Sequence, residues 1–112
     1  MLTEWFERQC QGNLYTTTIS VAVSAIVKLG AINPVGLVYR APGGALPRHF
    51  WKLSAMGVRG GIESAFMSTT TSKEEAMKYA RRSPGKVLFE IEQGFVARGA
   101  AIKWLSQYAA HL

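Results

Sequence analysis

Ala65-Phe66-Met67-Ser68-Thr69-Thr70-Thr71 runs directly into Ser72-Lys73-Glu74-Glu75-Ala76-Met77-Lys78-Tyr79-Ala80, and the fold class turns on how this stretch is read. Residues 65–69 read as a short strand that ends in a run of hydroxyls. Ser72 with Glu75 three residues later fits a capping box, in which the serine hydroxyl and the glutamate carboxylate each satisfy a backbone N–H of the first turn. Ala76, Tyr79 and Ala80 then fall on one helical face as the expected buried stripe, and Ser83-Pro84-Gly85 ends the helix.

Downstream, Val87-Leu88-Phe89-Glu90-Ile91 is a β-prone run, and Ala101-Ile102-Lys103-Trp104-Leu105 reads as another short strand after an Arg98-Gly99 turn. Upstream, Gly57, Gly60 and Gly61 mark a flexible connection, and Leu46 to Trp51 reads as one helical turn with Pro47 near its start. Gly36-Leu37-Val38-Tyr39-Arg40 reads as a strand ended by Ala41-Pro42-Gly43-Gly44, which puts Arg40 at a strand's carboxyl end beside a loop. Before it, Ile19, Ala22, Val23, Ile26 and Val27 recur at helical spacing behind the cap oxygens of Thr16, Thr17 and Thr18, with Gly30 as the stop and Asn33-Pro34 as the breaker. Ile19, Val21, Val23, Ala25 and Val27 also alternate, so a strand competes; the length and the final glycine favour a helix. A helix followed by strands with one intervening helix is an α+β pattern.

The 112 residues are 48% hydrophobic and 18% charged, the composition of one globular domain, residues 1–112. A chain of this size hides ~65% of its unfolded surface, enough for one core, so a large ligand is expected in a surface cleft. Thirteen Lys and Arg against seven Glu and no Asp give a net charge of +6 at pH 7, an attraction for anions of any kind. Lys and Arg are scattered, with no run longer than Arg81-Arg82 and no aromatic spacing for base stacking, so no nucleic-acid partner is expected. One cysteine and two histidines exclude an internal disulfide and a Cys/His zinc site, and no metal is expected. The apolar stretch from Ile19 to Val27 is about half the ~20 residues of a bilayer span, and Glu4 and Glu7 stand where a signal peptide needs positive charge. No membrane partner is expected, and a cytoplasmic location is the default.

The hydroxyls of Ser68, Thr69, Thr70 and Thr71 can hydrogen-bond a ribose or cap the chain. Arg40 is a bidentate donor suited to a pyrophosphate, or an edge residue in an ion pair. The glycines fit neither a Rossmann nor a P-loop spacing. Glu90 and Glu92 lie on one face of a strand, two residues apart, and read as a solvated face; His49 beside Phe50 and Trp51 reads as part of an aromatic cluster, and Cys10 as a plain thiol.

Taken in order, Leu37-Val38-Tyr39-Arg40, Gly61 to Thr70, Ala76-Met77-Lys78-Tyr79-Ala80, Val87 to Ile91 and Arg98 to Tyr108 resemble the arginine-specific mono-ADP-ribosyltransferases of the Arg-Ser-Glu, cholera-toxin-like class. The resemblance covers about Leu14 to Tyr108. It implies a split two-sheet α+β core that clamps NAD, with an N-terminal helix and one helix after the Ser-Thr-Thr strand. It also implies NAD(P)-dependent transfer of ADP-ribose to an arginine-bearing acceptor protein, with release of nicotinamide. By that resemblance Arg40 is the first-motif arginine on the NAD phosphates. Ser68, Thr69 and Thr70 are the second motif, Ser68 bracing the cleft beside the nicotinamide ribose. Arg40 and Ser68 are thus the implied catalytic residues, and Arg40, Ser68, Thr69 and Thr70 the NAD contacts.

The third motif of the family, Glu-x-Glu, follows a Gln-Tyr-Pro block. Here Gln107-Tyr108 is followed by Ala109-Ala110-His111-Leu112, so His111 stands where the first glutamate belongs and the second has no counterpart. Ala41 also replaces the usual glycine after the first-motif arginine. The expectation is a partial transferase domain that lacks its last strands, truncated before Glu-x-Glu and inactive as this fragment. The alternative is a non-catalytic NAD-binding or protein-interaction module on the same fold.

Overall fold

A computed structural model of the chain describes residue 4, residues 8–63 and residues 65–106. It is a small mixed α/β arrangement containing helix α1 (Thr16–Ile32), strand β1 (Leu37–Arg40), a 3-10 turn (Arg48–Trp51), helix α2 (Lys73–Arg82) and strand β2 (Phe89–Glu92). The chain divides into two compact units, one up to Pro34 with Gly99–Ala101, the other Val35–Arg98 with the residues from Ile102 onward.

In the first unit, the apolar repeat from Ile19 becomes a 17-residue helix, as the length and the breakers indicated. Its start differs from the expected threonine cap. Tyr15 is the N-cap residue in the left-handed region (φ 52°, ψ 36°), with no side-chain cap hydrogen bond, and its own N–H donates to Asn13 Oδ1 at 2.8 Å. Thr16, Thr17 and Thr18 therefore lie inside the first turn. Gly30 does not stop the helix either; it is a buried residue within it, and the end falls at Asn33, whose extended backbone (ψ 145°) suits the residue before Pro34. Ala22 and Ile26 are half-buried, whereas Ile19, Val23 and Val27 of the expected inner face are exposed.

The second unit is built on a two-stranded antiparallel sheet that pairs Leu37 with Glu92, Val38 with Ile91, Tyr39 with Glu90 and Arg40 with Phe89. Alternation holds in β2: Phe89 and Ile91 are half-buried, and Glu90 and Glu92 are exposed, as a solvated strand face requires. Helix α2 packs against β1. Its cap is half as expected: Ser72 Oγ accepts from the Glu75 N–H at 3.3 Å, while the Ser72 N–H donates to Thr70 Oγ1 at 3.1 Å. Ala76 and Ala80, one turn apart, are buried together with Val38. Tyr79, placed in the same stripe by spacing, is instead 47% exposed, because two alanines bring α2 close to the sheet and leave a ring room only at its flank. Chain approach is also tight at Gly85, where an added Cβ would lie 2.6 Å from the Gly44 carbonyl oxygen.

Two expected strands do not form. Of residues 65–69 none joins the sheet; Thr70 alone makes an isolated bridge, donating to the Tyr39 carbonyl at 2.9 Å and accepting from the Tyr39 N–H at 2.7 Å. The Ser68 carbonyl is taken by the Arg40 side chain rather than by a strand. Residues 101–105 form a turn, in which the Ile102 carbonyl accepts from both the Leu105 and Ser106 N–H groups at 2.9 Å. The helical turn at Leu46 to Trp51 appears as the 3-10 turn with Pro47 at its N-cap. Phe50 stacks on Phe89 (5.8 Å between centroids) and meets Trp51 edge-on (5.3 Å), but His49, one position before Phe50 on the turn, is exposed and takes no part in this cluster. Among the described residues no helix is long and apolar enough to cross a membrane.

Candidate functional site

Arg40 is the last residue of β1, and the chain turns away at Ala41, so its guanidinium is free to reach over the segment that approaches Thr70. Nη1 donates to the Ser68 carbonyl oxygen at 3.0 Å, and Nη2 donates to Glu63 Oε2 at 3.3 Å. The partners lie 28 and 23 residues away in sequence. The arginine side chain is 25% exposed and that of Glu63 45%. Ala41 takes no positive φ, so the replacement of a glycine there introduces no backbone strain.

A cleft of about 310 Å³ opens beside this contact, lined by Arg40, Ser68, Thr69 and Thr70 with Tyr39, Tyr79, Ile102 and Ser106 among the remaining walls. The four residues singled out from sequence therefore come together. Ser68 is exposed, while Thr69 and Thr70 are half-buried; Thr70 Oγ1 already accepts from the Ser72 N–H, so of the two threonines Thr69 has the less committed hydroxyl. The volume lies at the low end of the ~300–1,000 Å³ of ligand pockets. Phenol rings, hydroxyls and a guanidinium fork offer an apolar wall, ribose partners and an anion donor in one place.

No carboxylate among the described residues lines the cleft. Glu90 sits on the exposed face of β2 and pairs with Lys73 Nζ at 3.6 Å, the same ammonium that lies 5.8 Å from the centre of the Tyr39 ring. Cross-strand pairing puts Glu90 on the same sheet face as Tyr39, so Lys73 bridges the two. Lys78, on the outer part of α2, is held above the ordinary lysine range by its 2.8 Å hydrogen bond to Glu75 Oε1 and by that carboxylate's charge. Cys10 is a free, half-buried thiol, and the described residues contain no His/Cys/Asp/Glu group able to hold a metal. His111, Leu112, Gln107 and Tyr108 lie outside the described residues.

Tyr39, Tyr79, Ser106 and Glu63 were not named as site residues by the sequence. Tyr79 carried a usable signal, since it falls three residues after the buried Ala76 and so borders whatever Ala76 faces. Glu63 carried none, because nothing local links it to an arginine 23 residues earlier. Comparison of the chain with protein-family models, with curated proteins and with solved structures finds no match.

Proposed function

We propose that this chain is an NAD-handling domain of the arginine-specific mono-ADP-ribosyltransferase type, with the corresponding two-sheet fold, and that the described part of its cleft lacks the carboxylates for efficient transfer. The observation that carries the reading is the shared cleft: Arg40, the Ser68 to Thr70 hydroxyls and Ser106 come from three separate stretches of the resemblance and line one cavity. NAD enters as the substrate. The Arg40 fork takes pyrophosphate oxygens, the hydroxyls of Ser68 and Thr69 take ribose oxygens, and the tyrosine rings flank the nicotinamide side.

Transfer breaks the bond between nicotinamide and ribose, and positive charge builds on the ribose as it breaks. A carboxylate on the ribose hydroxyl stabilises that charge, and one lost electrostatic contact of this kind typically costs ~10²- to 10³-fold in rate. Among the described residues the cleft walls supply no such group. The chain thus binds NAD weakly and transfers ADP-ribose to an arginine-bearing acceptor protein scarcely at all, which makes a non-catalytic NAD-binding module the nearest second reading.

Incubation with labelled NAD and an arginine-rich acceptor tests this. Little arginine-linked label is expected, and substantially more from a version extended with a Glu-x-Glu tail. Robust labelling by the unextended chain that survives Glu90→Gln and Glu92→Gln would overturn the reading. Ser68→Ala sharpens it: the Arg40 contact uses the Ser68 backbone carbonyl, so the variant should keep its thermal midpoint while losing NAD affinity.

A further inference from the structure

We infer that Arg40 Nη2 and the Ala65 backbone N–H form a small anion site that the chain fills with its own Glu63 carboxylate, and that a phosphate ligand binds by displacing it. One oxygen of that carboxylate, Oε2, accepts from Arg40 Nη2 at 3.3 Å; the other, Oε1, accepts from the Ala65 N–H at 3.2 Å. Two donors, one charged and one from the backbone, therefore converge on a single planar anion, the arrangement in which oxyanions are held. Arg40 Nη1 is fixed on the Ser68 carbonyl at the same time, so the guanidinium keeps its place when Nη2 changes partner.

The exchange is favourable because of exposure and charge. With side chains 25% and 45% exposed, the Arg40 to Glu63 contact is a solvent-screened pair of the weak kind. A phosphate or pyrophosphate carries more negative charge and more acceptor oxygens than one carboxylate, and it approaches a chain of net charge +6. Glu63 thereby sets the ligand class: a single carboxylate gains nothing over the resident one, while a multiply charged phosphate does. The inference rests on the reading above only in giving Arg40 an anionic ligand.

Calorimetric titration of inorganic pyrophosphate into the full chain and its Glu63→Gln variant tests it. The glutamine still offers an oxygen to the Ala65 N–H but no charge to Arg40, so binding should tighten about two- to fivefold, the scale of an exposed ion pair. Glu63→Ala should tighten it at least as much. Adding Arg40→Gln to Glu63→Gln should remove the gain, whereas adding Lys28→Gln, an equal loss of charge on α1, should leave it. Unchanged or weaker pyrophosphate binding in both Glu63 variants, or no binding by any of the proteins, overturns the inference. An NAD titration of the same proteins separates the two proposals: tighter pyrophosphate binding with no NAD binding keeps the anion site and removes the NAD reading, and NAD binding indifferent to Glu63 does the reverse.

Discussion

Helices α1 and α2 are made from opposite materials, and the less apolar one is the better packed. Thr16–Ile32 is rich in Val, Ile and Ala, yet Gly30 is its buried residue and Val21, Val27 and Ile32 are more than 60% exposed. Lys73–Arg82 is mostly charged, yet Ala76 and Ala80 are 2% and 6% exposed, its first turn is capped by Ser72, and acids at its start and bases at its end complement the helix dipole. Apolar content lets a helix be buried; small side chains at one-turn spacing and a matched cap decide where it docks. The docked helix is the one that borders the cleft.

Substitutions at the two helices can break this contrast. Ala76→Asp puts an unpaired charge into the contact between α2 and β1 and should cost about 3 kcal/mol or more, whereas Val27→Asp on α1 should stay within about 0.5 kcal/mol. Urea denaturation of both variants checks it, and equal losses would show that α1 is as deeply packed as α2. Gly85→Ala should cost about 1–3 kcal/mol, because its Cβ meets backbone at Gly44 and Ala45, while Gly94→Ala, with nothing within 4 Å, should be near neutral in the same assay. Ser72→Ala should cost about 1 kcal/mol through the lost cap, and Thr16→Ala almost nothing, since no side chain caps α1. A larger thermal shift from Thr16→Ala than from Ser72→Ala would reverse the ranking.

Elements governed by nearby residues were legible in the sequence. Helix α2 with its serine cap, the helical character of α1 against the strand alternative, β1 ending at Arg40 and the short turn behind Pro47 all follow from signals within a few residues. Residues 65–69 and 101–105 have the composition of strands, but a strand exists only when a partner takes its hydrogen bonds. The Arg40 guanidinium takes the Ser68 carbonyl, and the Ile102 carbonyl turns back to Leu105 and Ser106. The candidate site was half legible for the same reason. Arg40 and Ser68 to Thr70 could be picked out by residue type and position, whereas Glu63, which holds the arginine in this structure, is visible only once the chain has brought it there.

The most direct test of the NAD reading is a calorimetric titration of NAD into the wild-type chain and into Arg40→Lys, which keeps the charge but loses the planar fork. Weak, saturable binding by the wild type that falls about tenfold in the variant is the result expected from the loss of one charge-assisted hydrogen bond. Equal NAD binding by the two proteins, or none by the wild type, would contradict the assignment of this cleft to NAD.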